Sequence, residues 1–139
     1  MDSDLAANKA LVTGFFQRWS DMDLDGMCEL ADLNGSWWNT TFATDLQIGD
    51  WTDRIRRAVP LFSEPPKFVI GIMTAEDDRV SAIVTCHSVL ADGRDYDNVY
   101  HYLIRCSGGR LVDVREFADP RLADAAFRPA SSVPSVAAP

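Results

Sequence analysis

Between residues 4 and 20 the apolar positions Leu5, Leu11, Val12, Phe15, Phe16 and Trp19 recur mostly at three- and four-residue steps. That spacing gathers side chains on one face of an α-helix. Gly14 within it lowers helix propensity and marks close packing. A second helix is predicted over residues 24–32, with Leu24, Met27, Cys28 and Ala31 on one face. "LNGS" stops it and "SWWNTTF" reads as a strand. "GDWTDRIRRAVPLF" predicts a third helix, entered through Asp50 and Asp53 at capping-box-like spacing and ended at Pro60 or soon after.

The period then changes from about 3.6 to 2. "KFVIGIM", "DRVSAIVTCHSVL", "RDYDNVYHYLIR" and "RLVDVREF" are rich in β-branched and aromatic residues and are separated by "AEDD", "ADG" and "CSGG" turn signals. Three helices followed by an antiparallel meander predict an α+β fold, with the helices on one face of a curved sheet. Residues 1–127 are expected to form one domain, and "RPASSVPSVAAP", residues 128–139, a disordered tail that fills no core. No internal repeat is seen.

Composition narrows the partners. A chain of 139 residues with 47% apolar content is long enough to bury a real core. A formal charge of −8 opposes nucleic-acid phosphates and anionic lipid, and the densest basic stretch, Arg54, Arg56 and Arg57, is short and flanked by carboxylates. It reads as a solvated helix face, and neither nucleic acid nor membrane is an expected partner. "MDSDLAANKA" is acidic where a signal peptide needs basic residues, and no apolar run spans a bilayer, so a cytoplasmic location is expected. Cys28, Cys86 and Cys106 are widely spaced without a C-x-x-C pair, which predicts reduced thiols and no zinc site.

One acidic stretch tests that picture. "DMDLDGMCELAD", residues 21–32, places carboxylates at offsets 1, 3, 5, 9 and 12 and a glycine at 6 of a calcium loop. A calcium hand leaves its loop through a helix, whereas here the chain runs into a turn and strand, in a single copy. Asp residues capping the second helix explain the stretch better, and no metal or cofactor is expected.

Strand arithmetic locates the chemistry. With Asp92-Gly93 as a two-residue hairpin turn, Ala91 opposes Arg94, His101 opposes Val84, Val99 opposes Cys86 and Asp97 opposes Ser88. With Gly108-Gly109 as the next turn, His101 opposes Glu116. One face then carries Val84, Cys86, Ser88, Asp97, Val99, His101, Leu103, Val114 and Glu116. The other carries His87, Asn98, Tyr100, Tyr102, Ile104 and Phe117. An imidazole beside a carboxylate among aliphatic neighbours suits proton transfer near neutral pH, and equally a satisfied structural pair.

The helix, "D-L-D-G-M" helix, Trp-rich strand and closing "GGRLVDVREFADP" resemble the nuclear transport factor 2-like superfamily, especially its SnoaL-like polyketide cyclase and ketosteroid isomerase branches, over residues 4–127 or so. The resemblance implies a cone of curved sheet wrapped on helices, a deep apolar pocket and often a homodimer. In SnoaL-like cyclases a pocket Asp on the last strand acts as acid–base with a His on the preceding strand, and Glu116 and His101 occupy the similar places. Ketosteroid isomerases would place a carboxylate base near Asn39 to Thr41 and an oxyanion Tyr near Phe16, and this chain has neither. Limonene epoxide hydrolases place Arg and Asp where this chain has Cys86 and Ser88, which disfavours their reaction. A scytalone dehydratase-like pair of His87 and His101 is disfavoured by strand parity.

Together these readings give a cofactor-free enzyme of cyclase, isomerase or dehydratase type, with Glu116 as general acid or base and His101 as its partner. The ligand-binding set is expected to be Asn39, Trp38, Phe16, Trp19, Cys86, Ser88, Asp97, Val99, Leu103 and Val114, around an apolar or polycyclic ligand carrying a carbonyl. The alternative is a non-catalytic protein that binds an apolar ligand or a protein partner. A homodimer is expected through the other sheet face, where Tyr100, Tyr102, Ile104 and Phe117 would form an apolar patch.

Overall fold

A computed structural model describes residues 2–41 and 43–127, with side chains from Asp4 onward, so the tail expected to be disordered lies outside the described residues. The chain runs α1 (Asp2–Ser20), α2 (Leu24–Glu29), β1 (Ala31–Asn39), β2 (Asp45–Gln47), α3 (Ile48–Ala58), a single 3₁₀ turn (Val59–Leu61), β3 (Phe62–Glu76), β4 (Arg79–Leu90), β5 (Asp95–Ser107), β6 (Arg110–Phe117) and α4 (Pro120–Phe127). Six strands form one sheet in the order β2-β1-β6-β5-β4-β3. The fold is the expected α+β arrangement of helices on a curved sheet, with one difference: β1 pairs β6 in parallel, so the sheet is mixed. Among the described residues no helix is long and apolar enough to cross a membrane.

α1 supplies the core through Val12, Phe15, Phe16 and Trp19, all buried against the concave sheet face. Its C-terminus is tied down by Ser20, whose hydroxyl accepts the Phe68 amide at 2.9 Å and whose carbonyl accepts Lys67 Nζ at 2.6 Å. The acidic link does local work. Asp23 caps α2 by accepting the Gly26 amide at 3.0 Å, Asp25 pairs with Arg56 at 2.7 Å, and Asp32 accepts the Asn34 amide at 3.0 Å.

Several boundaries differ from expectation. β1 starts at Ala31, so "LNGS" is strand rather than a stop. Gly35 there lies so close to β6 that a Cβ would sit 2.4 Å from the Val112 carbonyl oxygen. α3 begins at Ile48 with Gln47 as N-cap and no side-chain cap, which leaves Asp50 as first-turn charge only. β3 extends back through Pro65 and Pro66, tolerated because β3 is an edge strand. α4 has no counterpart in the sequence reading.

The decisive difference is register. Leu90 closes the hairpin, its amide donating to the Arg94 carbonyl at 2.8 Å and its carbonyl accepting the Gly93 amide at 2.9 Å, and Gly93 takes φ +90°. The loop is therefore the three residues Ala91, Asp92 and Gly93, with glycine at the left-handed position that such loops require. Val84 now opposes Tyr100, Cys86 opposes Asn98, and Ser88 opposes Tyr96. One residue of slip turns all of β5 over. The Gly108-Gly109 turn is as expected, with Ser107 opposing Arg110, but a bulge follows, and Tyr102 rather than His101 opposes Glu116. The two one-residue shifts cancel across β5. Val84, Cys86, Ser88, Val114 and Glu116 keep their common face, while Asp97, Val99, His101 and Leu103 move to the convex one.

Candidate active site

Beneath α3 and α4 the concave face of β4, β5 and β6 closes a pocket of about 630 Å³. Its walls are mainly apolar and aromatic: Trp19 from α1, Trp51 and Ile55 from α3, Phe68 from β3, Tyr100 from β5 and Phe127 from α4. Phe127 packs edge-on against Tyr96, with ring centroids 5.0 Å apart, and against Phe62 at 5.9 Å. α4 is held from below by Arg94, which donates to the Ala125 and Ala126 carbonyls at 3.1 and 3.3 Å.

Glu116 lies at the pocket floor with 8% of its surface exposed. β6 presents it inward, and Asn39, its parallel neighbour on β1, lines the same floor. The pair is fixed by the strand ends: the Thr40 amide donates to the Glu116 carbonyl at 3.1 Å, and the Thr40 hydroxyl donates to the Ala118 carbonyl at 3.0 Å. Burial pushes the Glu116 carboxyl up to about 7, against the opposing pull of Tyr102 and Trp37. Tyr102 donates to Oε1 at 2.8 Å, whereas the buried Trp37 indole nitrogen faces the carboxylate without reaching hydrogen-bond geometry. A carboxyl so poised is divided between acid and base near neutral pH.

The other polar groups are quieter. Burial, then the charges of Asp97 and Glu116, push the Cys86 thiol up to about 12, so it lines the pocket as a neutral thiol and not as a nucleophile. Ser88 is fully buried and donates to the Tyr96 carbonyl at 3.0 Å.

The expected site residues therefore divide. Glu116, Asn39, Trp19 and Cys86 meet at the pocket. Phe16 and Val114 are buried in the core beneath it, Phe16 packing on Tyr102 with centroids 4.8 Å apart. Trp38 is on the convex side against Phe117, and it is Trp37 that faces inward. His101, Asp97, Val99 and Leu103 are on the convex face: His101 bonds the Ser81 hydroxyl at 2.6 Å, and Asp97 pairs with His87. The expected Glu116–His101 dyad is not formed, because the hairpin slip separates the two side chains by the thickness of the sheet. Asn98, Tyr100 and Tyr102, assigned to the outer face by the two-residue turn, face inward on β5 together with Tyr96. Their signal was in the strand itself, whose aromatic positions alternate with Asp95, Asp97, His101 and Arg105.

Among solved structures, Bal32a from a soil-derived mobile gene cassette shares 22% identity over 90% of this chain and 99% of its own, with a TM-score of 0.75. A candidate polyketide cyclase of Xanthomonas campestris pv. campestris shares 16% over 88% and 97%, with a TM-score of 0.76. TerC, co-crystallised with polyporic acid, shares 10% over 86% and 96%, with a TM-score of 0.74. These likenesses establish the fold. No curated protein sequence matches the chain. The family model described as "SnoaL-like domain" matches residues 12–114, from the first core face of α1 to the inward Val114 of β6, and the chain belongs to that family.

Proposed function

We propose that the protein is a cofactor-free enzyme that moves a proton at a carbon beside a carbonyl in an apolar or polycyclic ligand, as a cyclase, isomerase or dehydratase. The observation that carries this reading is the Glu116 carboxyl, buried in an otherwise apolar pocket and pushed up to about 7. As carboxylate it takes the proton, the C–H pair moves to the carbonyl oxygen as an enolate, and the same carboxyl returns the proton at another atom. Apolar walls exclude water and hold a flat ligand, and Tyr102 keeps the carboxylate oriented. Asn39 is placed to bond the ligand next to the reacting carbon. TerC, co-crystallised with polyporic acid, supports a small-molecule ligand for a fold of this shape.

The test needs no natural substrate. 2-Tetralone in deuterated water, followed by NMR, should exchange its α-protons faster with the wild-type protein than in buffer, and Glu116→Gln should abolish the acceleration. Equal acceleration by the variant would remove Glu116 from the role, and no acceleration by either protein would favour the ligand-binding alternative.

The homodimer belongs to the same proposal, on different residues from those first expected. Tyr100, Tyr102 and Ile104 face inward, but Val69, Ile83, Val99, Leu103 and Phe117 stand exposed on the convex face, Val99 to 58%. Sedimentation showing only monomer at micromolar concentration would remove it.

A further inference from the structure

Counting hydroxyl hydrogens on β5 leaves one unspent. The phenolic oxygens of Tyr96 and Tyr100 lie 2.8 Å apart. Asn98 Nδ2 donates to the Tyr96 oxygen at 3.0 Å and to the Asp119 carbonyl at 3.3 Å, while Asn98 Oδ1 accepts the Val99 amide at 2.9 Å. The Asn98 carbonyl is thus committed to an amide, which fixes its NH₂ group toward Tyr96. Two hydroxyls hold two hydrogens, and their mutual bond uses one. Because the Tyr96 oxygen already accepts from Asn98, the arrangement in which each bond polarises the next runs from Asn98 to Tyr96 to Tyr100. In that arrangement the hydrogen left over is that of Tyr100, whose ring borders the pocket. Tyr102, stacked on Tyr100 at 5.5 Å, spends its own hydrogen on Glu116.

We infer that the Tyr100 hydroxyl, backed by Tyr96 and Asn98, is the donor that receives the ligand's oxygen, and that the pocket selects aromatic ketones or their enols over hydrocarbons of the same shape. The inference rests on the proposed proton transfer only in saying which oxygen this is, the carbonyl beside the carbon that Glu116 deprotonates. As that proton leaves, negative charge gathers on the oxygen, and a donor already polarised by two bonds behind it meets that charge without reorganising. Burial holds both phenols above their ordinary range, so they remain protonated donors in mildly alkaline solution.

Equilibrium dialysis of 2-acetylnaphthalene and 2-ethylnaphthalene at about pH 8.5 tests it, because there Glu116, with its carboxyl near 7, is ionised and only accepts. Tyr100→Phe should weaken the ketone about tenfold and leave the hydrocarbon within about twofold, and Tyr96→Phe should give a smaller loss of the ketone alone. Unchanged ketone binding in Tyr100→Phe, equal loss of both ligands, or no binding of the ketone by wild type would each overturn the inference. If instead Glu116→Gln leaves tetralone exchange intact while Tyr100→Phe loses the ketone, the proton-transfer reading fails and the donor assignment stands.

Discussion

The phenolic hydroxyl of Tyr102 donates to Oε1 of Glu116 across 2.8 Å, between residues that face one another on β5 and β6. Both are buried, so this bond sets the chemistry of the pocket floor. Replacing Tyr102 by Phe removes the strongest force favouring the ionised carboxyl and should move its titration above about 7. The stability cost should be about 1–3 kcal/mol where Glu116 is ionised and smaller in acid, measured by urea unfolding at pH 6 and pH 9. An equal cost at both pH values would contradict it.

Glu116 itself makes the fold sensitive to alkali. Its folded value, raised from 4.5 to about 7, means that the native state holds the proton more tightly than the unfolded chain does. The stability linked to that proton is complete below the unfolded value and is lost as pH rises through the folded one. At 1.36 kcal/mol per pH unit the loss is about 3 kcal/mol. Glu116→Gln cannot ionise, so its stability relative to wild type should rise by that amount between acid and pH 8 in chemical unfolding. A constant difference would show that the carboxyl is not buried as described.

His87 should titrate as a stranger to the pocket. Hydrogen bonding to Asp97, with that residue's charge, raises the His87 pKa, so Asp97→Asn should lower it in an NMR titration. Glu116→Gln, on the opposite face, should leave that titration where it is, and a clear shift of His87 would put the two residues on one side of the sheet.

Arg94 is the fastening of α4. Arg94→Ala should raise hydrogen exchange across residues 120–127 while β5 stays protected, because it removes the two bonds that Arg94 donates to α4 carbonyls. Global stability should change by about 1 kcal/mol or less, since the guanidinium is half exposed. Unchanged exchange would show that the ring contacts alone hold the helix.

The periodicities of α1, β4 and β6 were legible from the spacing of their apolar positions, and those of β4 and β6 put Glu116 and Cys86 on one face, while Asn39 was reached through the family resemblance. β5 was misread for a different reason. Its register depended on a loop whose length, two residues or three, is decided by the backbone angle of Gly93, a local choice that "ADG" permits either way. The alternation along β5, aromatic against charged, argued for the three-residue loop. The bulge within the β5–β6 pairing and the parallel partnership of β1 are tertiary outcomes: Gly35 must let β1 approach Val112, a contact between segments far apart in the chain. α4 left little trace because eight residues ending in Ala-Ala-Phe carry too short a period to read.

That parallel pairing has a consequence for how the molecule is made. Ser36 bonds Asp113 across 77 residues, and Asn39 reaches its place beside Glu116 only when β1 has met β6. The four antiparallel pairs, β1 with β2, β3 with β4, β4 with β5 and β5 with β6, can close on local contacts as they emerge, but this seam joins strands far apart in the chain and bears the largest loop-closure entropy in the sheet. The pocket floor therefore assembles late, and nascent chains cut before β6 lack both the carboxyl at the cavity's base and the wall that Phe127 of α4 supplies.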